Sequence, residues 1–250
     1  MKKIGWFTTA RGPGSYNLFS TMMNSIRKGE IDAKLSFVFI NRDIKGNQFR
    51  MKLVKEAEDS GVPVIIFPSD NFMPELKQAD INAWRDAYGQ GLRGRVSKYE
   101  MDFGVLAGYM LIFDRETCRK YTMINLHPAL PDTYKGTWEE IIGTVVDNSD
   151  EHYGATVHLC TSELDRGEPI AYDAFPLDKL KAKNQFREQR VKAIRAEELK
   201  REAYLLIGVI KMIVNGDVVL KDGKVFNRRG NLVSEYPNLA TSIDAQLKKD

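Results

Sequence analysis

Short runs of apolar, β-branched and aromatic residues recur along the first half of the chain. They alternate with longer stretches whose apolar positions repeat at helical spacing. Residues 4–8, 35–41, 62–67, 103–107 and 121–126 read as strands. The intervening pattern predicts helices at about 16–28, 48–60, 75–99 and 114–119, with Gly61 as a stop just past the second. Strands that alternate with helices form βαβ units, and therefore a mostly parallel, doubly wound central sheet flanked by helices.

Past residue 126 the texture changes to a proline-rich loop, a helix near 137–147 and two further strands at 155–160 and 169–175, which complete the same sheet. Residues 179–214 read as one long helix. Its first part, KLKAKNQFREQRVKAIRAEELKRE, is so heavily charged that it is expected to present a solvated face. Apolar residues on either side of Asp222-Gly223 announce a β-hairpin, because Asp-Gly supplies the positive φ angles of a tight turn. No internal repeat and no linker rich in Pro, Gly and Ser interrupts the chain, so a single domain over 1–250 is expected, divided at 1–120, 121–215 and 216–250.

Composition narrows the class. An apolar share of 43% with 28% charged residues is that of a globular chain with a packed core. The longest apolar stretch, 204–214, is interrupted by Lys211 and is far shorter than the roughly 20 residues a bilayer-spanning helix needs, so no membrane is implied. The opening MKKIGWFTTARG has the lysines of a signal peptide, but its apolar part stops at Phe7, which makes it a first strand. Cys118 and Cys160 form neither a disulfide framework nor a metal-ligand spacing, and point to a reducing, cytoplasmic setting with no metal. A net charge of +3, with basic and acidic residues interleaved, gives no footprint for nucleic acid.

Three clusters fall at ends of expected strands, where ligands bind in open α/β sheets. In Arg11-Gly12-Pro13-Gly14-Ser15-Tyr16-Asn17, glycines let backbone N–H groups approach an anion and a helix N-terminus adds partial positive charge. The loop is neither a G-x-G-x-x-G fingerprint nor a Walker loop, and a plain tight turn explains it equally well. Leu106-Ala107-Gly108-Tyr109-Met110 offers an apolar slot for a flat heterocycle, although taken alone it reads first as an ordinary strand end, since apolar runs of this sort are mostly core. In Ile124-Asn125-Leu126-His127-Pro128, proline extends the residue before it, and strand alternation sends Asn125 and His127 to one side. An amide beside an imidazole suits acyl transfer, the one stabilising an oxyanion and the other moving protons near neutral pH. Downstream, Asp165 stands before a turn glycine, where it can orient His127 or a water; His158 fits a packed strand histidine, and His152 an exposed one.

Taken together, in this order and spacing, these elements resemble the folate-dependent formyltransferase family. The likeness runs from the glycine loop through VLAGYM, INLHPALP and Tyr134-Lys135-Gly136 to Gly154-Ala155-Thr156-Val157-His158 and Glu163-Leu164-Asp165-Arg166-Gly167, about four-fifths of the chain. It implies a Rossmann-like formyltransferase fold whose first part, 1–120, binds nucleotide and whose second, 121–215, is catalytic and folate-binding. Asn125, His127 and Asp165 fall on the family's catalytic residues. Gly14, Ser15, Tyr16 and Asn17 match the loop that holds a ribonucleotide phosphate, with Tyr16 as one extra residue, and Glu202 matches a ribonucleotide contact. Leu106, Gly108, Tyr109, Met110, Leu111, Ile112 and Cys160 match the folate pocket.

The implied reaction is transfer of the formyl group of 10-formyltetrahydrofolate to the primary amine of glycinamide ribonucleotide in purine synthesis. It needs no metal. The partners would be these small molecules, without nucleic acid or membrane, and the protein a monomer or homodimer. The chain departs from the family at Leu111, where an arginine is common, in HPALPDTYKG after the catalytic histidine, in Thr137-Trp138-Glu139-Glu140, where a histidine is usual, and in the charged segment before residue 200. The alternatives are another amine acceptor such as an amino-sugar nucleotide, hydrolysis of formyltetrahydrofolate, and a non-catalytic folate- or nucleotide-binding protein.

Overall fold

The computed structural model describes residues 1–183 and 186–249. Seven strands are ordered β3-β2-β1-β4-β5-β6-β7: β1 (Lys2–Thr8), β2 (Ala33–Ile40), β3 (Val64–Ile66), β4 (Phe103–Leu106), β5 (Met123–His127), β6 (His152–Leu159) and β7 (Pro169–Pro176). The sheet is mostly parallel, with β6 and β7 antiparallel to each other, as the alternating pattern anticipated. The chain divides into two compact units, Met1–Asn125 with Leu159–Gly167, and Leu126–His158 with Glu168–Asp250.

In the first unit β1, β2 and β4 are largely buried on both faces. On one side of β1, Trp6 packs edge-on against Phe19 of α1 (Pro13–Arg27), with centroids 5.9 Å apart. On the other, Phe7, Phe37 and Phe39 join Trp84, Tyr88 and Leu92 of α4 (Ile81–Val96) in one aromatic cluster. Such all-round burial is why these strands read as continuous apolar runs. The remaining helices here are α2 (Gln48–Asp59), α3 (Pro74–Ala79) and α5 (Arg115–Lys120).

The helix expected over 75–99 is two helices. Asp80, extended at φ −149°, accepts from the N–H groups of Asn82 and Ala83 and starts α4 afresh. The first helix begins at Pro13 rather than Tyr16, since proline suits the first helical position and Gly12 serves as N-cap. Most of the glycine loop is therefore a helical turn.

The second unit packs Ile141, Ile142 and Val145 of α6 (Trp138–Asp147) and Ile194 of α8 (Arg187–Val214) against Tyr153 and Phe175. The expected long helix comprises α7 (Asp178–Lys183) and α8, while Asn184 and Gln185 lie outside the described residues. Its charged first part is not wholly solvated: Glu198, Arg201 and Glu202 are buried. Each is burial-tolerant because it is paired, Arg201 bridging Asp173 (2.6 Å) and Asp244 (2.6 Å), and Arg195 bridging the two glutamates. The hairpin forms as β8 (Val218–Lys221) and β9 (Lys224–Asn227), and a helix the pattern did not announce, α9 (Ala240–Leu247), follows.

Candidate functional site

Within the first unit, β1 connects outward to β2 on one side, while β4 flanks it on the other, so the winding reverses between β1 and β4. Crevices for ligands open at the carboxyl ends of strands at such a reversal. Two of the three sequence clusters emerge there. They are joined directly: Thr9 N–H donates to the Gly108 carbonyl (3.0 Å), and Met110 N–H donates to Thr9 Oγ1 (2.9 Å). A Cβ on Gly108, which has φ +67°, would lie 3.3 Å from Ser15 Cβ. Only glycine suits both the dihedral and the approach.

The glycine loop is braced. Arg50 Nε donates to the Thr9 carbonyl (3.2 Å) and Asn47 Nδ2 to that of Arg11 (3.0 Å), while Ser15 Oγ donates to the Gly12 carbonyl (2.9 Å). Pro13 has no N–H, which leaves the Gly14 and Ser15 amides as the first-turn donors of α1. Tyr16 and Asn17 continue that turn.

Leu106 ends β4 and pairs in register with Asn125 of β5, which links the expected heterocycle wall to the first catalytic candidate. Tyr109 is buried among Phe7, Phe39 and Phe113, yet its hydroxyl has no hydrogen-bond partner. Leu111 and Ile112 are half-buried and Met110 is exposed. An orphaned buried hydroxyl between half-open apolar residues fits a flat ligand carrying polar edges. Cys160 follows β6, donates its N–H to the Met123 carbonyl (2.8 Å), and its thiol donates to the Thr161 carbonyl (3.7 Å). Asp165, half-buried, sits in the turn after Cys160 with φ +49°.

Asn125 and His127 are two residues apart in β5 and thus share a face. His127 is only 6% exposed. Its Nε2 lies 2.8 Å from the Tyr134 carbonyl oxygen. A carbonyl only accepts, so Nε2 carries a proton in this contact, which sets the tautomer of the neutral ring. His158, buried in β6, stands edge-on to His127 with centroids 6.1 Å apart; His152 is exposed at the start of that strand.

The loop after His127 is fixed from β6: Tyr153 Oη meets the Pro128 carbonyl (2.7 Å) and Thr156 Oγ1 donates to that of Ala129 (2.7 Å). Tyr134 is itself anchored, donating to Asp150 (2.6 Å) and accepting from Asn148 (3.0 Å). Glu202 is held by Arg195 Nη1 (2.7 Å). Tyr134 entered the sequence reading only as part of the family likeness and without a role, and Tyr153 and Arg195 were not singled out. Among the described residues, no group of three or more His, Cys, Asp or Glu side chains is placed to hold a metal ion, and no helix is long and apolar enough to cross a membrane.

A doubly wound sheet with an amide and an imidazole at the end of one strand is an α/β architecture suited to acyl transfer. The chain belongs to the formyl transferase family, whose model matches residues 12–201. It is similar to the phosphoribosylglycinamide formyltransferase of Haemophilus influenzae, 26% identical over 230 residues that cover 90% of this chain and 93% of the other. A Dictyostelium discoideum protein of the same name is 31% identical over 134 residues, covering 50% of this chain and 64% of that one. Among solved structures, phosphoribosylglycinamide formyltransferase from Coxiella burnetii superposes with a TM-score of 0.73 at 20% identity, over 95% of this chain and 99% of that one. A formyltetrahydrofolate deformylase from Pseudomonas syringae shares the fold, with a TM-score of 0.65 at 21% identity, over 90% of this chain and 65% of its own.

Proposed function

We propose that the chain transfers the formyl group of 10-formyltetrahydrofolate to the primary amine of glycinamide ribonucleotide. The observation that carries this reading is the pairing of Asn125 with a His127 whose tautomer is set by the Tyr134 carbonyl. Relatives of that name across nearly the whole chain support the acceptor.

The donor supplies an electrophilic formyl carbon. The Gly14 and Ser15 amides would hold the phosphate of the ribonucleotide, Tyr16, Asn17 and Glu202 would serve as further acceptor contacts, and Leu106, Gly108, Tyr109, Met110, Leu111, Ile112 and Cys160 would line the donor pocket. When the amine adds to the formyl carbon, the Asn125 amide stabilises the oxyanion, and protonated His127 does the same through Nδ1–H. As the bond between the formyl carbon and the folate nitrogen breaks, His127 passes that proton to the departing nitrogen, and the proton given up by the acceptor nitrogen restores the imidazolium. Asp165 supports these transfers by polarising His127 or an ordered water.

The test is to supply purified protein with 10-formyltetrahydrofolate and follow its deformylation with and without glycinamide ribonucleotide. Turnover that requires the ribonucleotide is expected. Turnover independent of it would instead make the protein a hydrolase, and donor binding without turnover a non-catalytic binder.

A further inference from the structure

In the second unit, Tyr153 Oη lies 2.7 Å from the Pro128 carbonyl oxygen and 2.7 Å from Glu198 Oε1. A phenol has one proton to offer. If Glu198 were ionised, both neighbours would be acceptors, and one of the two short O···O contacts would hold no hydrogen. A second proton on Glu198 satisfies both: the carboxylic acid donates to the phenol oxygen, and the phenol donates to the Pro128 carbonyl.

Charge counting gives the same answer. Arg195 Nη1 bonds Glu198 Oε2 (2.5 Å) and Glu202 Oε1 (2.7 Å), and the glutamate side chains are 1% and 9% exposed. The guanidinium is covered by the Trp138 ring, 4.9 Å away. Two ionised carboxylates on one guanidinium would leave an uncompensated buried negative charge, which is costly. One ionised and one neutral carboxyl balance it, and the phenol contact selects Glu198 as the neutral one.

We propose that Tyr153 and a protonated Glu198 are positioning residues for His127, which they serve by fixing the backbone carbonyl directly after it. The inference rests on the reading of His127 as the proton-moving group. The groups that face Glu198 are Arg195 and Glu202 from α8 and Tyr153 from β6; Tyr153 in turn meets the Pro128 carbonyl, and Arg195 the uncharged Trp138 of α6. Burial and Glu202 push the Glu198 carboxyl up to about 8, against the pull of Arg195. Burial, with Glu198 beside it, also raises the Tyr153 hydroxyl, so the phenol keeps its proton. When Glu198 ionises, the phenol proton turns to the carboxylate and the Pro128 carbonyl loses its donor.

Two measurements test this without turnover. Infrared difference spectra of the wild type against Glu198→Gln are expected to show the carbonyl stretch of a buried carboxylic acid near neutral pH, fading as pH rises through about 8. Absence of that band overturns the proton assignment. Nitrogen-15 resonances of the His127 ring are expected to show an inflection in the same pH range, lost in Glu198→Gln, whose amide keeps a donor toward Tyr153. An inflection that survives the substitution overturns the link to His127.

Kinetics add a third readout. Tyr153→Phe should lower kcat by about tenfold or more while KM for either substrate changes less than about twofold. Glu198→Gln, by contrast, should keep most of the wild-type rate and flatten the alkaline limb of the pH profile. A Tyr153→Phe enzyme with wild-type kcat sinks the positioning role. If the wild type itself transfers no formyl group, the functional reading fails, while the spectroscopic outcomes still decide this one.

Discussion

The His127 imidazole is tethered to the Tyr134 carbonyl oxygen through Nε2, at 2.8 Å. This tether fixes the orientation of the ring that the proposed mechanism uses to move a proton. Substituting His127→Gln puts an amide where Nε2 stands but offers no titrating group. We expect the rate to fall by about 10²- to 10⁴-fold, the usual worth of positioned proton transfer, with folding stability within about 1 kcal/mol of wild type. Steady-state kinetics beside urea unfolding checks both halves.

Asp165 adopts φ +49°, a left-handed conformation that asparagine tolerates as well as aspartate does. Asp165→Asn therefore removes a charge and leaves the turn intact. A fall in kcat by orders of magnitude with an unchanged circular dichroism spectrum is expected. Near-normal activity would remove Asp165 from the mechanism.

At Gly108 the argument is steric. An alanine there meets both a positive φ of 67° and the Ser15 Cβ at 3.3 Å. The left-handed conformation alone costs about 1–2 kcal/mol, and the crowding displaces the glycine loop against the strand end. Gly108→Ala is expected to lower the urea midpoint and to raise KM for both substrates, whereas Gly94→Ala, at an open helical position, should do neither.

Stability should depend on pH in a specific direction. A carboxyl raised from 4.5 to about 8 binds its proton more tightly in the folded chain than in the unfolded one. Its contribution is complete below about pH 4.5 and is lost progressively as pH climbs through about 8. Thermal melts in that window should show the wild type weakening relative to Glu198→Gln. Parallel curves would leave Glu198 out of the linkage.

How much of this was legible in the sequence differs from element to element. Strands buried on both faces announce themselves, as do Asp222-Gly223 and the extended residue before Pro128, because each rests on local conformational chemistry. Asp80 was missed because a capping aspartate inside a helical pattern looks like any exposed acid. The tether on His127 was invisible for another reason: Tyr134 contributes a backbone oxygen, which no side-chain pattern displays. Tyr153 and Glu198 are 45 residues apart and meet only through packing. The charge run of α8 suggested solvent, since composition does not reveal which acids and bases face one another.

Asn125 and His127 sit one pleat repeat apart on β5. The strand acts as a ruler whose divisions, about 3.3 Å per residue, are set by backbone geometry rather than by side-chain choice. Conservative exchanges around them leave the graduation unchanged. A single inserted or deleted residue between them does not, because it turns one of the pair to the opposite face of the sheet. The interval Asn125-Leu126-His127 is therefore expected to accept changes of letter at its centre far more readily than any change of length.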